Sequence, residues 1–117
     1  SKVMALTYKI AKDYDLSDNE TEVANYILEI FVTEVPQELA LIKSGIKEKD
    51  YKQAYAYAHK IKPSLDLLGM NVAYEEILQV EAWTRAEGKR SEINATFESI
   101  ENQIVNAVKE IKKDFDM

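Results

Sequence analysis

Cysteine is absent from the 117 residues, which excludes disulfides, thiolate catalysis and thiolate metal sites. Glycine (3) and proline (2) are scarce, so the punctuation that an all-β chain or a loop-rich chain needs is missing. With so little Gly and Pro, and with Ala, Leu, Ile, Glu and Lys abundant, the composition favours helix over sheet. No apolar run approaches the ~20 residues of a membrane span, and no signal-type segment is visible at the start. A cytoplasmic protein is therefore the default expectation. Excess positive charge is also lacking. The net charge is −6 and the pI about 4.8, the wrong sign for neutralising nucleic-acid phosphates or an anionic membrane surface. Acidity of this size mainly keeps a protein in solution and points to no particular partner.

What is present suits one domain spanning residues 1–117. Apolar residues make up 46%, an ordinary globular share that can fill a core. Residues 1–16 have no clear period, and Val3, Leu6, Tyr8, Ile10 and Tyr14 are expected to pack as a short N-terminal segment. Ser17-Asp18-Asn19-Glu20 reads as a capping box, followed by Val23, Ile27, Ile30 and Phe31 at helical spacing. Pro36 is expected to end that helix near Val35 and to start the next, with Leu39, Ile42 and Ile46 on its buried stripe.

Lys47-Glu48-Lys49 is a charged stop, and Asp50 is a good N-cap for a helix from Tyr51 to about Leu68, with Gly69 at C′. Asn71 is expected to cap a further helix carrying Ala73, Ile77, Val80 and Trp83, closed by Glu87-Gly88-Lys89. Ser91 opens the last one. Its stripe of Ile93, Phe97, Ile100, Ile104, Val108, Ile111 and Phe115 is the clearest periodic signal in the chain. Short linkers favour antiparallel neighbours. The expected fold is all-α, an antiparallel four-helix bundle with a short additional N-terminal helix.

Histidine occurs once, at position 59. At about 100° per residue, Ala54, Ala58, Ile61, Leu65 and Leu68 share one narrow face, and His59 lies roughly 140° from its centre. It is expected to face solvent, which argues against a core histidine. On geometry alone, an idle surface histidine stands at least level with a functional one. The neighbours at three and four residues are Tyr55, Ala56, Lys62 and Pro63. Ala56 and Pro63 cannot cover the ring, and Lys62 sets a cation one turn on. Pro63 within a helix costs roughly 3 kcal/mol against Ala, and a local rule broken beside the sole histidine is where functional strain is expected. A harmless kink on a solvent face is the other reading.

The run His59-Lys60-Ile61-Lys62-Pro63-Ser64-Leu65-Asp66-Leu67-Leu68-Gly69, with Ala58 before it, resembles the motif of histidine-containing phosphotransfer (HPt) domains. Ile61, Lys62, Ser64 and Gly69 fit that motif, whereas Pro63 stands where the family most often has Gly or Ser. Tyr14-Asp15-Leu16, Phe31 to Pro36 and Lys49-Asp50-Tyr51 resemble other segments of such domains, so the likeness covers nearly the whole chain.

The resemblance implies that His59 accepts a phosphoryl group from a receiver-domain aspartate and passes it to another, in a two-component phosphorelay. Lys62 would give electrostatic support. Glu81, at the position of a possible imidazole partner, is equally readable as an ordinary helix carboxylate. Tyr55, Ala56, Lys60, Pro63 and Asp66 would meet the partner, and Ser64 and Gly69 would be structural. The implied partners are response-regulator receiver domains and a hybrid sensor kinase, of which this chain could be the excised cytoplasmic end. The domain is expected to be a monomer. It needs no metal or cofactor of its own, since Mg²⁺ would sit on the receiver, and no autonomous kinase activity is expected; no Gly-rich nucleotide loop is present.

Three other classes compete with this reading. An interaction-only bundle could dock a receiver without phosphorylation. A di-iron bundle needs paired Glu-x-x-His motifs that one outward histidine cannot meet. A hydrolase would need a nucleophile–base or paired-carboxylate arrangement that the sequence does not identify.

Overall fold

The computed structural model describes residues 20–115. These form four α-helices, α1 (Glu20–Glu48), α2 (Tyr51–Leu67), α3 (Asn71–Arg85) and α4 (Asn94–Asp114), with a single 3₁₀ turn (Arg90–Glu92) before α4. They pack as a bundle in which α1 lies against α2 and α4, and α3 lies against α2 and α4. The expected segment at residues 1–16 and the capping box at Ser17 lie outside the described residues. Among the described residues no helix is long and apolar enough to cross a membrane.

Pro36 does not divide the first helix. α1 runs straight through it for 29 residues, so the helices expected on either side of Pro36 are one element. The reason is packing. Phe31, Val35, Leu39, Ile42 and Ile46 make one uninterrupted buried stripe across the proline, and burying it outweighs one missing backbone donor. In the turn before the proline, Gln37 Nε2 donates to the Thr33 carbonyl at 3.0 Å. The start of the stripe also differs from expectation. Ala24 and Leu28 are buried, while Val23 and Ile30 stand on the outer flank.

α1 ends with Lys49 in the left-handed region (φ 54°), and Asp50 caps α2 by accepting from the Gln53 N–H at 3.0 Å. Gly45, inside α1, sits where the two helices come closest. A Cβ there would lie 2.8 Å from the Ala54 backbone nitrogen. On α2 the core face is Ala54, Ala58, Ile61 and Leu65, followed by Leu68.

Gly69 closes α2 in the left-handed conformation (φ 68°), and the Met70 N–H reaches back to the Leu65 carbonyl at 2.9 Å. The link is so tight that α3 begins at Asn71 itself, with Met70 in the cap position and no side-chain cap; the expected Asn71 cap does not form. Likewise Ser91 does not open the last α-helix. It lies in the 3₁₀ turn, which is tied by the Lys89 N–H to Glu92 Oε1 at 2.7 Å, and α4 starts three residues later.

The C-terminal end of α3 is locked to the start of α2. Tyr51 donates its hydroxyl proton to the Gly88 carbonyl and Trp83 its indole N–H to the Lys89 carbonyl, both at 2.8 Å, and the two rings meet at 5.0 Å. This end of the α2–α3 pair is therefore a firm support for what stands on the next turns of both helices.

Candidate functional site

His59 projects from the middle of α2 with 60% of its side chain exposed, on the face opposite the core stripe. Its Nδ1 lies 3.0 Å from Oε2 of Glu81, which comes from α3 and is itself only 4% exposed. The other carboxylate oxygen, Oε1, accepts from Lys62 Nζ at 3.1 Å. One buried carboxylate thus holds two groups that sit one turn apart on the neighbouring helix.

A buried charge needs partners. The Lys62 ammonium offsets the charge of the Glu81 carboxylate, whose oxygens can only accept hydrogen bonds. The proton of a neutral imidazole is then assigned to Nδ1, by hydrogen-bond logic. Nε2 keeps its lone pair and is turned away from the carboxylate toward solvent. The triad of His59, Glu81 and Lys62 has no net charge when the imidazole is neutral, so holding the ring this way leaves no uncompensated buried ion.

The flanking surface is open. Ala56 and Pro63, on the turns before and after His59, are exposed and carry nothing that could reach over the ring. α2 continues to Leu67 despite Pro63, whose missing N–H leaves the His59 carbonyl without its usual helical partner. Tyr55, one turn back, stacks on the imidazole with ring centroids 5.7 Å apart and planes 14° from parallel.

The candidate residues do not all gather here. Lys60 turns toward α1, where Nζ lies 3.8 Å from Glu38 Oε1 and 6.0 Å from the Tyr57 ring. Burial pushes the Glu38 carboxyl above its usual range, with Lys60 opposing and Glu34 adding to the rise. Asp66 is exposed two turns along α2 from the histidine, while Ser64 and Gly69 serve the helix end, where the Ser64 carbonyl accepts from the Leu68 N–H.

Lys62 is less free than its place in the sequence suggests. Only 20% of its side chain is exposed, and its ammonium is engaged by Glu81. Two contributors had no sequence signal of their own. Arg85 lies with its guanidinium 6.0 Å over the Tyr55 ring, and Glu38 draws Lys60 away from the site. Arg85 follows Glu81 by four residues on α3, so both reach the same side of α2, but only the register of the two helices reveals it.

A scan of protein-family models, a search of curated proteins and a search of solved structures each return no match to this chain.

Proposed function

We propose that this domain is a phosphoryl carrier of the HPt kind, in which His59 takes a phosphoryl group from the aspartyl phosphate of a receiver domain and returns it to another receiver aspartate. The observation that carries the reading is an exposed imidazole whose Nδ1 is held by a buried, lysine-neutralised carboxylate. That arrangement suits a nitrogen nucleophile: oriented, open and unprotonated at Nε2.

In the forward step the Nε2 lone pair forms the N–P bond as the acyl-phosphate P–O bond breaks, and the electron pair leaves on the receiver carboxylate. No proton has to depart from Nε2. The Nδ1–H donated to Glu81 stabilises the positive charge that develops on the ring. The reverse step breaks the N–P bond and restores the same neutral triad. Phosphoryl transfer needs positioning and charge neutralisation more than covalent help from the protein. The receiver partner would bring the Mg²⁺ and the aspartate.

The test is transfer of label. Incubated with a phosphorylated receiver, the wild-type domain is expected to gain one acid-labile, base-stable phosphoryl group on His59. His59→Gln should gain none while keeping its fold, because the ring is mostly solvent-facing. A domain that binds the receiver but never takes label would instead be an interaction module.

A further inference from the structure

A single hydrogen bond does not fix an imidazole. With only Nδ1 held by Glu81, a ring that is 60% exposed can still swing about that contact. The Nε2 lone pair lies in the ring plane, so the direction from which phosphorus can approach in line depends on that plane. Something must restrain it.

The stack on α2 supplies the restraint. Tyr55 lies one turn before His59, and its ring is within 14° of parallel to the imidazole at 5.7 Å. Tyr55 is backed from α3 by Arg85, and Tyr51, a further turn back, is anchored by its bond to the Gly88 carbonyl and by its contact with Trp83. With the two planes within 14° of parallel, it is the face of the Tyr55 ring rather than its hydroxyl that is turned to the histidine.

We propose that Tyr55 is a positioning residue that sets the plane of the His59 imidazole, so that Glu81 and Tyr55 together aim Nε2. This role rests on the phosphotransfer reading and extends it. It assigns no chemistry to Tyr55 itself; the aromatic face restricts the ring's motion, and misplacement of a nucleophile by a fraction of an ångström is costly in rate.

Phosphoramidate is the probe that separates aiming from docking. Its P–N bond breaks as the Nε2–P bond forms and ammonia leaves, and it is too small to use a protein-binding surface. At saturating phosphoramidate, Tyr55→Ala is expected to slow labelling of His59 roughly tenfold, while Tyr55→Phe labels at the wild-type rate. NMR should show the His59 ring protons shifted by the Tyr55 ring current in the wild type and in Tyr55→Phe, and released in Tyr55→Ala, with melting temperatures close together.

An unaltered phosphoramidate rate in Tyr55→Ala would overturn the role. If that variant lost transfer from a receiver alone, Tyr55 would be a docking contact and the positioning role would again be refuted. A Phe variant as slow as the Ala variant would refute a role for the ring face. Wild-type protein that accepts label from neither donor would overturn the phosphotransfer reading itself, and the role with it, which no result confined to Tyr55 can do.

Discussion

Replacing Lys62 with methionine tests the electrostatics of the site directly. Glu81 is 4% exposed and its carboxylate has two partners, Lys62 at 3.1 Å and His59 at 3.0 Å. Methionine keeps the length and apolar stem of the lysine but removes the lysine charge that, among the described residues, pairs with that carboxylate. Breaking a buried ion pair from one side costs about 3–5 kcal/mol when nothing else compensates. Here the histidine remains and one side of the triad is open to water, so the expected loss is about 2 kcal/mol. For a domain of this size that corresponds to a fall in Tm of roughly 8 °C.

Lys60→Met is the internal control. Its side chain is 63% exposed and its ammonium lies 3.8 Å from its acidic neighbour, so the change should stay within about 0.5 kcal/mol. The decisive variant is Lys62→Met combined with Glu81→Met, which removes both charges. It is expected to recover at least half of the loss, since an ion pair replaced on both sides by apolar groups is often neutral. Urea and thermal denaturation followed by circular dichroism give all three values. If Lys62→Met costs no more than Lys60→Met, or if the second substitution deepens the loss, Glu81 is not an ionised buried carboxylate dependent on Lys62, and the assignment of the Nδ1 proton fails with it.

Gly45→Ala should destabilise the bundle by about 1–3 kcal/mol despite alanine's better helix propensity, because the added Cβ would meet the Ala54 backbone at 2.8 Å; a gain in Tm would show that α1 and α2 can separate freely there. Glu38→Gln should be stabilising near neutral pH. The native carboxyl is raised above its ordinary 4.5, so the folded state holds its proton more tightly than the unfolded chain; stability is full below that value and is lost as pH rises through the native pKa. The gain in Tm from the variant should therefore vanish in acid, and a gain that is the same at pH 3.5 and 7 would refute the sign. Pro63→Ala should raise stability by about 1–2 kcal/mol, since it restores a helical donor at an exposed position and loses some of the chain restriction that proline imposes on the unfolded state; a fall in Tm would mean that the packing of Leu65 and Leu68 depends on the proline ring.

Much of the bundle could be read from local rules. Asp50 caps α2 and Gly69 ends it in the left-handed conformation, because capping chemistry acts over three or four residues. The stripe on α2 is buried as its period requires, and so is that leading into and along α4 at Ile93, Phe97, Ile100, Ile104 and Ile111, while Val108 and Phe115 are half-buried at its edge. The outward direction of His59 follows from the same arithmetic. What failed were places where tertiary packing outweighs a local signal. Pro36 carries a strong break signal, yet the stripe from Phe31 to Ile46 is worth more buried in one piece than in two. Asn71 is a good capping residue that the tight link at Gly69 carries past the cap position. On α1 the apolar residues form two adjacent rows, Val23, Ile27 and Ile30 beside Ala24, Leu28 and Phe31, and only the position of the neighbouring helices decides that the second is buried.

The site itself divides along the same line. Lys62 lies three residues from His59, a spacing any helix supplies, and Tyr55 lies four residues before it. Neither spacing shows what orients the imidazole. That depends on where α3 crosses α2, since Glu81 is 22 positions from the histidine and reaches it only once Ala54, Ala58, Ile61 and Leu65 are packed against the neighbouring helices. An isolated α2 would carry the histidine and the lysine in the right register and still lack the buried carboxylate that both require. The surface histidine is therefore oriented from below. The core sets the register of α2 and α3, the register delivers Glu81, and Lys62 makes the burial of that carboxylate tolerable. A core substitution that shifts α3 along α2 by one turn would therefore take Glu81 away from His59 without touching a single residue around the ring.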